Sequence, residues 1–403
     1  MITEKIFNDT ETAFQLKADS DLSRAIFLFE TIDRPLLVKL GIGLTKFSLK
    51  FRLPVEGIIR KTIFNQFCGG ETKEDCLPVI EEMHSENVHS ILDYSVEGNQ
   101  KEEEFERAIE KKIEIVKFVA GRKEIPFAVF KPTGIGRFEL WQKVSASASL
   151  TLEEEEEWQR VKNRVNRICD VAYNHKVKLL ADAEQSWIQD AVDNLIEEMM
   201  FKYNRDEAIV FNTLQCYRWD RLQYLKDLHA RAKDQGFVVG AKIVRGAYLE
   251  AENLRAKKMG YFSPICENKE ATDVTFNGAL TYCLENIQNI EVFVGSHNEM
   301  SNYIAMQLMD QLGIPKDDDR VWFAQLYGMS EHISYNLAEA GYNVAKLVPF
   351  GPVKEVVPYL IRRAEENTSV KGQTNRELSL LYEERKRRNG EIMKSNRESE
   401  LVQ

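Results

Sequence analysis

Six polar or charged residues stand where short apolar runs stop: Lys131, Asp182, Gln215, Arg245, His297 and Gln325. A single polar strand end is usually a satisfied rim residue. Six in succession, on the face where parallel barrels carry their active sites, form a candidate site. The pair Arg362-Arg363 lies within a helical stretch. Adjacent helix positions diverge by about 100°, so both guanidinium groups can flank one pocket. Planar guanidinium groups take carboxylates bidentately. The alternative is a solvated pair answered by Glu365 and Glu366, and that segment alone does not choose. Lys131 adds a third cation, and three cations suit a small carboxylate. In the run Lys242-Ile-Val-Arg245-Gly246-Ala247-Tyr248 a strand ends, glycine lets backbone approach a ligand, and a helix begins. Backbone N–H groups at such a junction suit a phosphate. The junction is weak evidence alone, because every strand-to-helix loop needs a turn residue.

The elements that must position these residues follow from periodicity. Apolar runs at 88–94, 126–131, 177–182, 208–215, 238–245, 290–297, 320–326 and 343–349 read as eight strands. Helical patterns separate them at 101–119, 152–173, 187–203, 220–235, 298–312 and 330–340, and another follows at 352–366. Nearly continuous apolar strands alternating with amphipathic helices predict a buried parallel sheet. Eight such units suit a (β/α)8 barrel better than an open sheet. No GxGxxG follows any strand, which weakens a dinucleotide-binding Rossmann reading. Residues 1–70 read as helices, with 22–51 broken at Pro35, then Phe47, Leu49, Phe51 and Leu53 leading to Pro54, and Gly69-Gly70 closing the segment. One more helix is expected over 73–87. The domains expected are a helical region 1–87 packing on the barrel, a catalytic barrel 88–370 and a charged tail 371–403. Within the tail, 376–388 is expected to be helical and the chain from Gly390 onward frayed. The acidic run Glu153–Glu157 reads as a solvated helix start, because Thr151 and Glu154 have capping-box spacing.

Composition narrows the function. The 403 residues carry a net charge of −10, which argues against a general nucleic-acid binder and leaves a small anionic substrate open. No stretch approaches 18 consecutive apolar residues. The N-terminus MITEKIFNDTETAF has acids where a signal peptide needs a basic and then an apolar run, so a cytoplasmic chain is expected. Six cysteines without a CxxC pair and six histidines without ligand spacing predict no disulfide and no metal.

Six segments then converge. Asp182-Ala-Glu184, Gln215-Cys-Tyr217, Lys242-Ile-Val-Arg-Gly-Ala-Tyr248, Ser296-His-Asn298, Gln325-Leu-Tyr-Gly-Met329 and Tyr359-Leu-Ile-Arg-Arg363-Ala-Glu-Glu-Asn367 come in the order found in proline dehydrogenases. From about residue 60 to 373 the sequence resembles a monofunctional flavin-dependent member, nearer the mitochondrial type than the barrel of the bifunctional bacterial enzymes. The resemblance implies an α/β fold, a distorted (β/α)8 TIM-type barrel with additional N-terminal helices. It implies FAD as cofactor and oxidation of L-proline to Δ1-pyrroline-5-carboxylate, the first step of proline catabolism, with hydride passing from proline C5 to flavin N5. Electrons would go to a membrane quinone, which sets the expected place as cytoplasmic or peripheral at an inner membrane. By the same resemblance, Lys131, Arg362 and Arg363 hold the substrate carboxylate, and Tyr248, Leu326, Leu347 and Tyr359 line the proline ring. Asp182 is a carboxylate near flavin and substrate. Lys242 stands where many bacterial members have an arginine beside flavin N5, and either cation stabilises reduced flavin. Ala183, Gln215, Val244, Arg245, Gly246, Ala247, Ser296 and His297 fall on FAD contacts.

Two positions depart from the family. Leu347 and Phe350 stand where many members have tyrosine. Loss of a hydroxyl beside the ring bears on acceptance of 4-hydroxyproline, so a 4-hydroxyproline dehydrogenase is the alternative substrate reading. The substrate amine must be neutral when hydride leaves. An unperturbed aspartate, near pKa 3.9, matches a secondary ammonium poorly, so Asp182 is read as a holding group and water as a candidate proton acceptor. A Schiff-base lyase using Lys131 and a non-catalytic binding barrel are the competing classes; bound flavin separates both from the dehydrogenase.

Overall fold

Strands that bury both faces need a sheet that is covered by helices or closed on itself. The protein does both. The structure, a computed structural model, describes residues 4–32, 34, 38, 40–43, 56–95, 101–369 and 371–401, and side chains except those in 364–374 and 391–401. The strands are β1 (Val88–Tyr94), β2 (Phe127–Phe130), β3 (Lys178–Ala181), β4 (Val210–Gln215), β5 (Val239–Val244), β6 (Ile290–Gly295), β7 (Val321–Leu326) and β8 (Val344–Phe350). Each pairs in parallel with the next, and β8 closes on β1. All eight expected strands are present within about two residues. β2 stops before Lys131 because Pro132 follows and has no N–H to continue the ladder.

The barrel interior is filled by Ile91, Phe127, Val129, Leu180, Phe211, Phe293, Trp322, Ala324 and Ala345. Phe127 is central, with ring centroids 5.1 Å from Phe293 and 5.2 Å from Trp322, both edge-on. Side chains alternate faces along a strand. Two residues beyond this layer therefore come Asp93, Lys131, Asp182, Leu326 and Leu347, placed at the mouth by the same parity that places the core.

The expected outer helices are present, with three differences. The helix expected over 73–87 is Leu77–Ser85, because Thr72 and Asp75 exchange side chain–backbone hydrogen bonds at 3.0 and 3.1 Å and hold a turn instead. Helices Phe138–Ser145 and Lys269–Glu285 lie outside the expected stretches. The second buries Thr272, Phe276, Ala279, Leu280 and Cys283, and a face built partly of small residues reads weakly as apolar. The capping box at Thr151 forms as expected, with Thr151 accepting from Glu154 N–H and Glu154 from Thr151 N–H.

The N-terminal helices Thr10–Phe14 and Asp19–Ile32 pack on the C-terminal helix Lys371–Leu401 through Ala13, Phe14, Leu22, Ala25, Ile26, Phe29, Leu380 and Leu381. That helix continues past Gly390, since one glycine costs a helix only about 1 kcal/mol. Pro35, Phe47, Leu49, Phe51, Leu53 and Pro54 lie outside the described residues. Among those described, no helix is long and apolar enough to cross a membrane, and all six cysteines are free thiols.

Phe127→Ala removes the ring that three other aromatics pack against. Chemical denaturation should show a loss of about 3–5 kcal/mol; a loss near zero would mean the interior layer is not packed around this ring.

Candidate active site

Asp93 ends β1 with 1 % of its surface exposed. A carboxylate so buried requires compensation. Lys131 Nζ lies 3.1 Å from Asp93 Oδ2, and Lys112 Nζ comes from the helix behind to within 3.3 Å of Oδ1. The Ser95 hydroxyl donates to Oδ2 at 2.8 Å. Burial alone would raise the Asp93 carboxyl; Lys131, Lys112 and Ser95 outweigh it and hold it well below the usual carboxylate range. Burial, in turn, pulls Lys112 below the ordinary lysine value, against the pull of Asp93.

The charge chain continues across the mouth. Lys131 Nζ is 3.9 Å from Asp182 Oδ2, and Lys242 Nζ donates to Asp182 Oδ1 at 2.6 Å. Lys242 also stands over the Phe293 ring of the interior layer, 5.8 Å from its centroid. Three lysines and two aspartates thus alternate from behind β1 to β5, and at the mouth itself Lys131 and Lys242 balance Asp93 and Asp182. Lys131, Asp182 and Lys242 were legible as candidates. Asp93 and Lys112 were not, although an aspartate two residues after Ile91 in an apolar strand carries the parity signal.

The strand–glycine–helix junction lies beside this chain. Gly246 has φ +128°, and a Cβ there would meet the Tyr217 ring at 2.6 Å. Only glycine fits, and both Gly246 and Ala247 are exposed residues. Ala247 N–H leans on Gln215 Oε1 at 3.4 Å, while Gln215 Nε2 donates to Glu184 O at 2.5 Å. Val244 and Ala183 are half-buried at their strand ends. Arg245 turns toward the helices: Nε donates to Asp273 at 2.8 Å, Nη1 to Ser296 at 3.0 Å and Nη2 to Ser301 at 2.9 Å, with the guanidinium over Phe276. Tyr248, half-buried, precedes helix Leu249–Met259.

On the opposite side, Leu347 packs on the interior layer. Leu326 shares an apolar cluster with Tyr359 of helix Val353–Ser369. In that helix Arg362 is half-buried and Arg363 buried, its guanidinium 5.1 Å from the Tyr359 ring centroid. The pair is therefore not a solvated helix face. His297 has both ring nitrogens engaged: Nδ1 lies 2.9 Å from Ser330 Oγ, and Nε2 accepts from Leu326 N–H at 3.4 Å. Burial first, then Lys346, Arg363, His332 and Arg245, push its pKa down to about 3. Arg363 thus weighs on the same side of the mouth as His297. Gln325 faces away and bridges Ser296 O and Ser334. Among the described residues, no group of three or more His, Cys, Asp or Glu side chains is arranged to hold a metal.

A closed eightfold barrel with charged groups at the strand C-terminal ends has the anatomy of a barrel enzyme. The chain matches the family described as Proline dehydrogenase over residues 76–376, and it belongs to that family. It is 33% identical over 367 residues to a carbapenem antibiotics biosynthesis protein CarD of Pectobacterium carotovorum, covering 91% of this chain and 95% of that one. It is 31% identical to a hydroxyproline dehydrogenase of Xenopus laevis, covering 93% and 88%. Identity to the human mitochondrial proline dehydrogenase 1 is 42% over 59% of this chain, which spans 40% of that protein's length. In fold it is similar to the proline utilization A protein of Bdellovibrio bacteriovorus inactivated by N-propargylglycine, with a TM-score of 0.69 at 21% identity, over 91% of this chain and 37% of that one.

Asp93→Asn leaves two lysines facing a neutral amide, and unfolding at pH 7 should show a loss of about 3–5 kcal/mol. Because the folded-state carboxyl is depressed, its contribution is present above the unfolded value of about 3.9 and disappears as pH falls through the folded one. The variant should therefore lose less stability than the wild type on going from pH 5 to pH 2. Parallel acid profiles would show that Asp93 is not ionised in the fold.

Proposed function

We propose that the protein is an FAD-dependent enzyme that oxidises L-proline to Δ1-pyrroline-5-carboxylate and passes the electrons to a membrane quinone. The observation that carries this reading is the Lys112–Asp93–Lys131–Asp182–Lys242 chain of paired charges above an apolar floor, with Arg362 and Arg363 on the opposite side of the mouth. A small amphoteric acid with an aliphatic ring complements such a mouth. Lys131, Arg362 and Arg363 take its carboxylate; Tyr248, Leu326, Leu347 and Tyr359 enclose its ring. The glycine junction fits the cofactor: Gly246 and Ala247 are exposed at the start of a helix, where backbone N–H groups suit a pyrophosphate. Ala183, Gln215, Val244, Arg245, Ser296 and His297 complete the cofactor side. His297 would hold it without donating from either ring nitrogen, since both are used within the protein.

FAD, when bound, supplies the two-electron acceptor. The chain's own residues orient the substrate and exclude alternatives. Both oxygens of Asp182 are engaged by ammonium groups, which suits holding rather than proton transfer, and water takes the amine proton. Lys242 would supply a positive charge beside the cofactor, which favours its reduced, anionic form. A Schiff-base lysine must be a neutral amine, whereas Lys131 is held between two carboxylates; this favours the dehydrogenase. The Xenopus laevis relative's name and the leucine at 347 favour 4-hydroxyproline as a second substrate.

The purified protein should be yellow, release FAD on denaturation, and bleach with L-proline; a colourless protein that takes up no flavin on reconstitution sinks the reading. Arg363→Met should keep the flavin and weaken proline binding by about 2–5 kcal/mol, and an unchanged KM would remove Arg363 from the substrate site. Leu347→Tyr should lower kcat/KM for trans-4-hydroxy-L-proline relative to L-proline, within the roughly 10–200-fold range of pocket-shape discrimination. If that ratio does not move, residue 347 does not border the ring.

A further inference from the structure

We propose that Glu377, on the C-terminal helix, is a positioning residue for the β6–β7 side of the active site: it fixes Ser330, whose hydroxyl orients His297 and, through His297, the main chain of Leu326. The contacts are continuous. Ser330 N–H donates to Glu377 Oε2 at 3.0 Å. Ser330 has φ +52°, a left-handed backbone that a serine keeps only where its surroundings over-determine it. Its Oγ lies 2.9 Å from His297 Nδ1, and His297 Nε2 accepts from Leu326 N–H at 3.4 Å. A ring nitrogen that accepts carries no proton, so the proton sits on Nδ1 and His297 donates to Ser330. The low pKa of His297, which keeps the ring neutral, agrees with this arrangement.

Glu377 is itself tightly placed. It is 4% exposed and meets the N-terminus of helix Glu331–Glu339 through the Ser330 N–H; burial raises its carboxyl above the ordinary value, while His332 and the Ser330 N–H pull it down. His332 Nδ1 lies 3.9 Å from it. Its neighbour Arg376 donates to Glu299 at 2.7 Å, and Glu299 opens the helix that follows β6. Further along, Leu380 and Leu381 are locked against the N-terminal helices. Arg388 reaches the carbonyls of Phe14 and Lys17 at 2.9 and 2.8 Å. The two terminal segments thus hold one buried carboxylate against one loop. The inference rests on the reading that His297 and Leu326 border the active site.

Two conservative variants separate reach from charge. Glu377→Gln keeps an oxygen at the same distance from Ser330 and gives up the charge. Glu377→Asp keeps the charge and withdraws the oxygen by one methylene. In the holoenzyme, Glu377→Gln should retain most of kcat/KM for L-proline, and Glu377→Asp should lose about tenfold, mainly through KM, as expected for a small misplacement at a binding wall. Nitrogen-15 NMR of the His297 ring, assigned against His297→Asn, should show Nδ1–H in the wild type and in Glu377→Gln. It should show mixed tautomers in Glu377→Asp. The opposite order of the two variants, as for a purely electrostatic or stabilising role, overturns the proposal. So does an unmoved His297 signature in Glu377→Asp. The NMR measurement needs neither flavin nor turnover. A tautomer change without any kinetic change would keep the Glu377–His297 link and remove His297 from the active site.

Discussion

One buried carboxylate constrains the mouth of this barrel more than any other group. Asp93 comes out of an apolar strand into a nearly water-free position, and an ion there costs several kcal/mol unless its partners are close. Lys131 from the next strand and Lys112 from the covering helix answer it. Lys131 is then shared with Asp182, and Asp182 with Lys242. The cost of one desolvated charge has been spread over five side chains from four strands and a helix. The result is an array of ion pairs held in fixed geometry across the barrel mouth.

The other half of the mouth is organised chiefly by hydrogen bonds and shape. His297, Ser330, Gln325 and Ser334 tie the ends of β6 and β7 to the helix that follows. The loop between them is pressed from outside. Gly328 has φ +77°, and a Cβ there would lie 1.8 Å from the Gln66 carbonyl oxygen, while Gln66 Nε2 donates to Gly328 O at 2.8 Å. The segment before β1 therefore shapes the loop after β7, across 262 residues of chain. Paired charges on one side therefore face, on the other, a rigid contour that also carries the Arg363 guanidinium.

Much of this was legible in the chain itself. Eight apolar runs of strand length, separated by helical patterns, suit a closed parallel barrel better than an open sheet. The period of two then sends Lys131, Asp182, Leu326 and Leu347 to the mouth, and the capping box at Thr151 is a purely local contact. What the chain could not show is which charges meet. Asp93 and Lys112 are 19 residues apart, and Asp182 and Lys242 are 60 apart; their pairing depends on barrel closure and on the helix that folds back behind β1. Arg362 and Arg363 read equally as a solvated pair until the packing of Tyr359 and Arg363 buried one of them. Glu377 sits in a stretch so charged that it resembles any solvated tail. Only the docking of the last helix onto the first two puts its carboxylate against Ser330, because burial and partnership are properties of the assembled surface and not of local sequence.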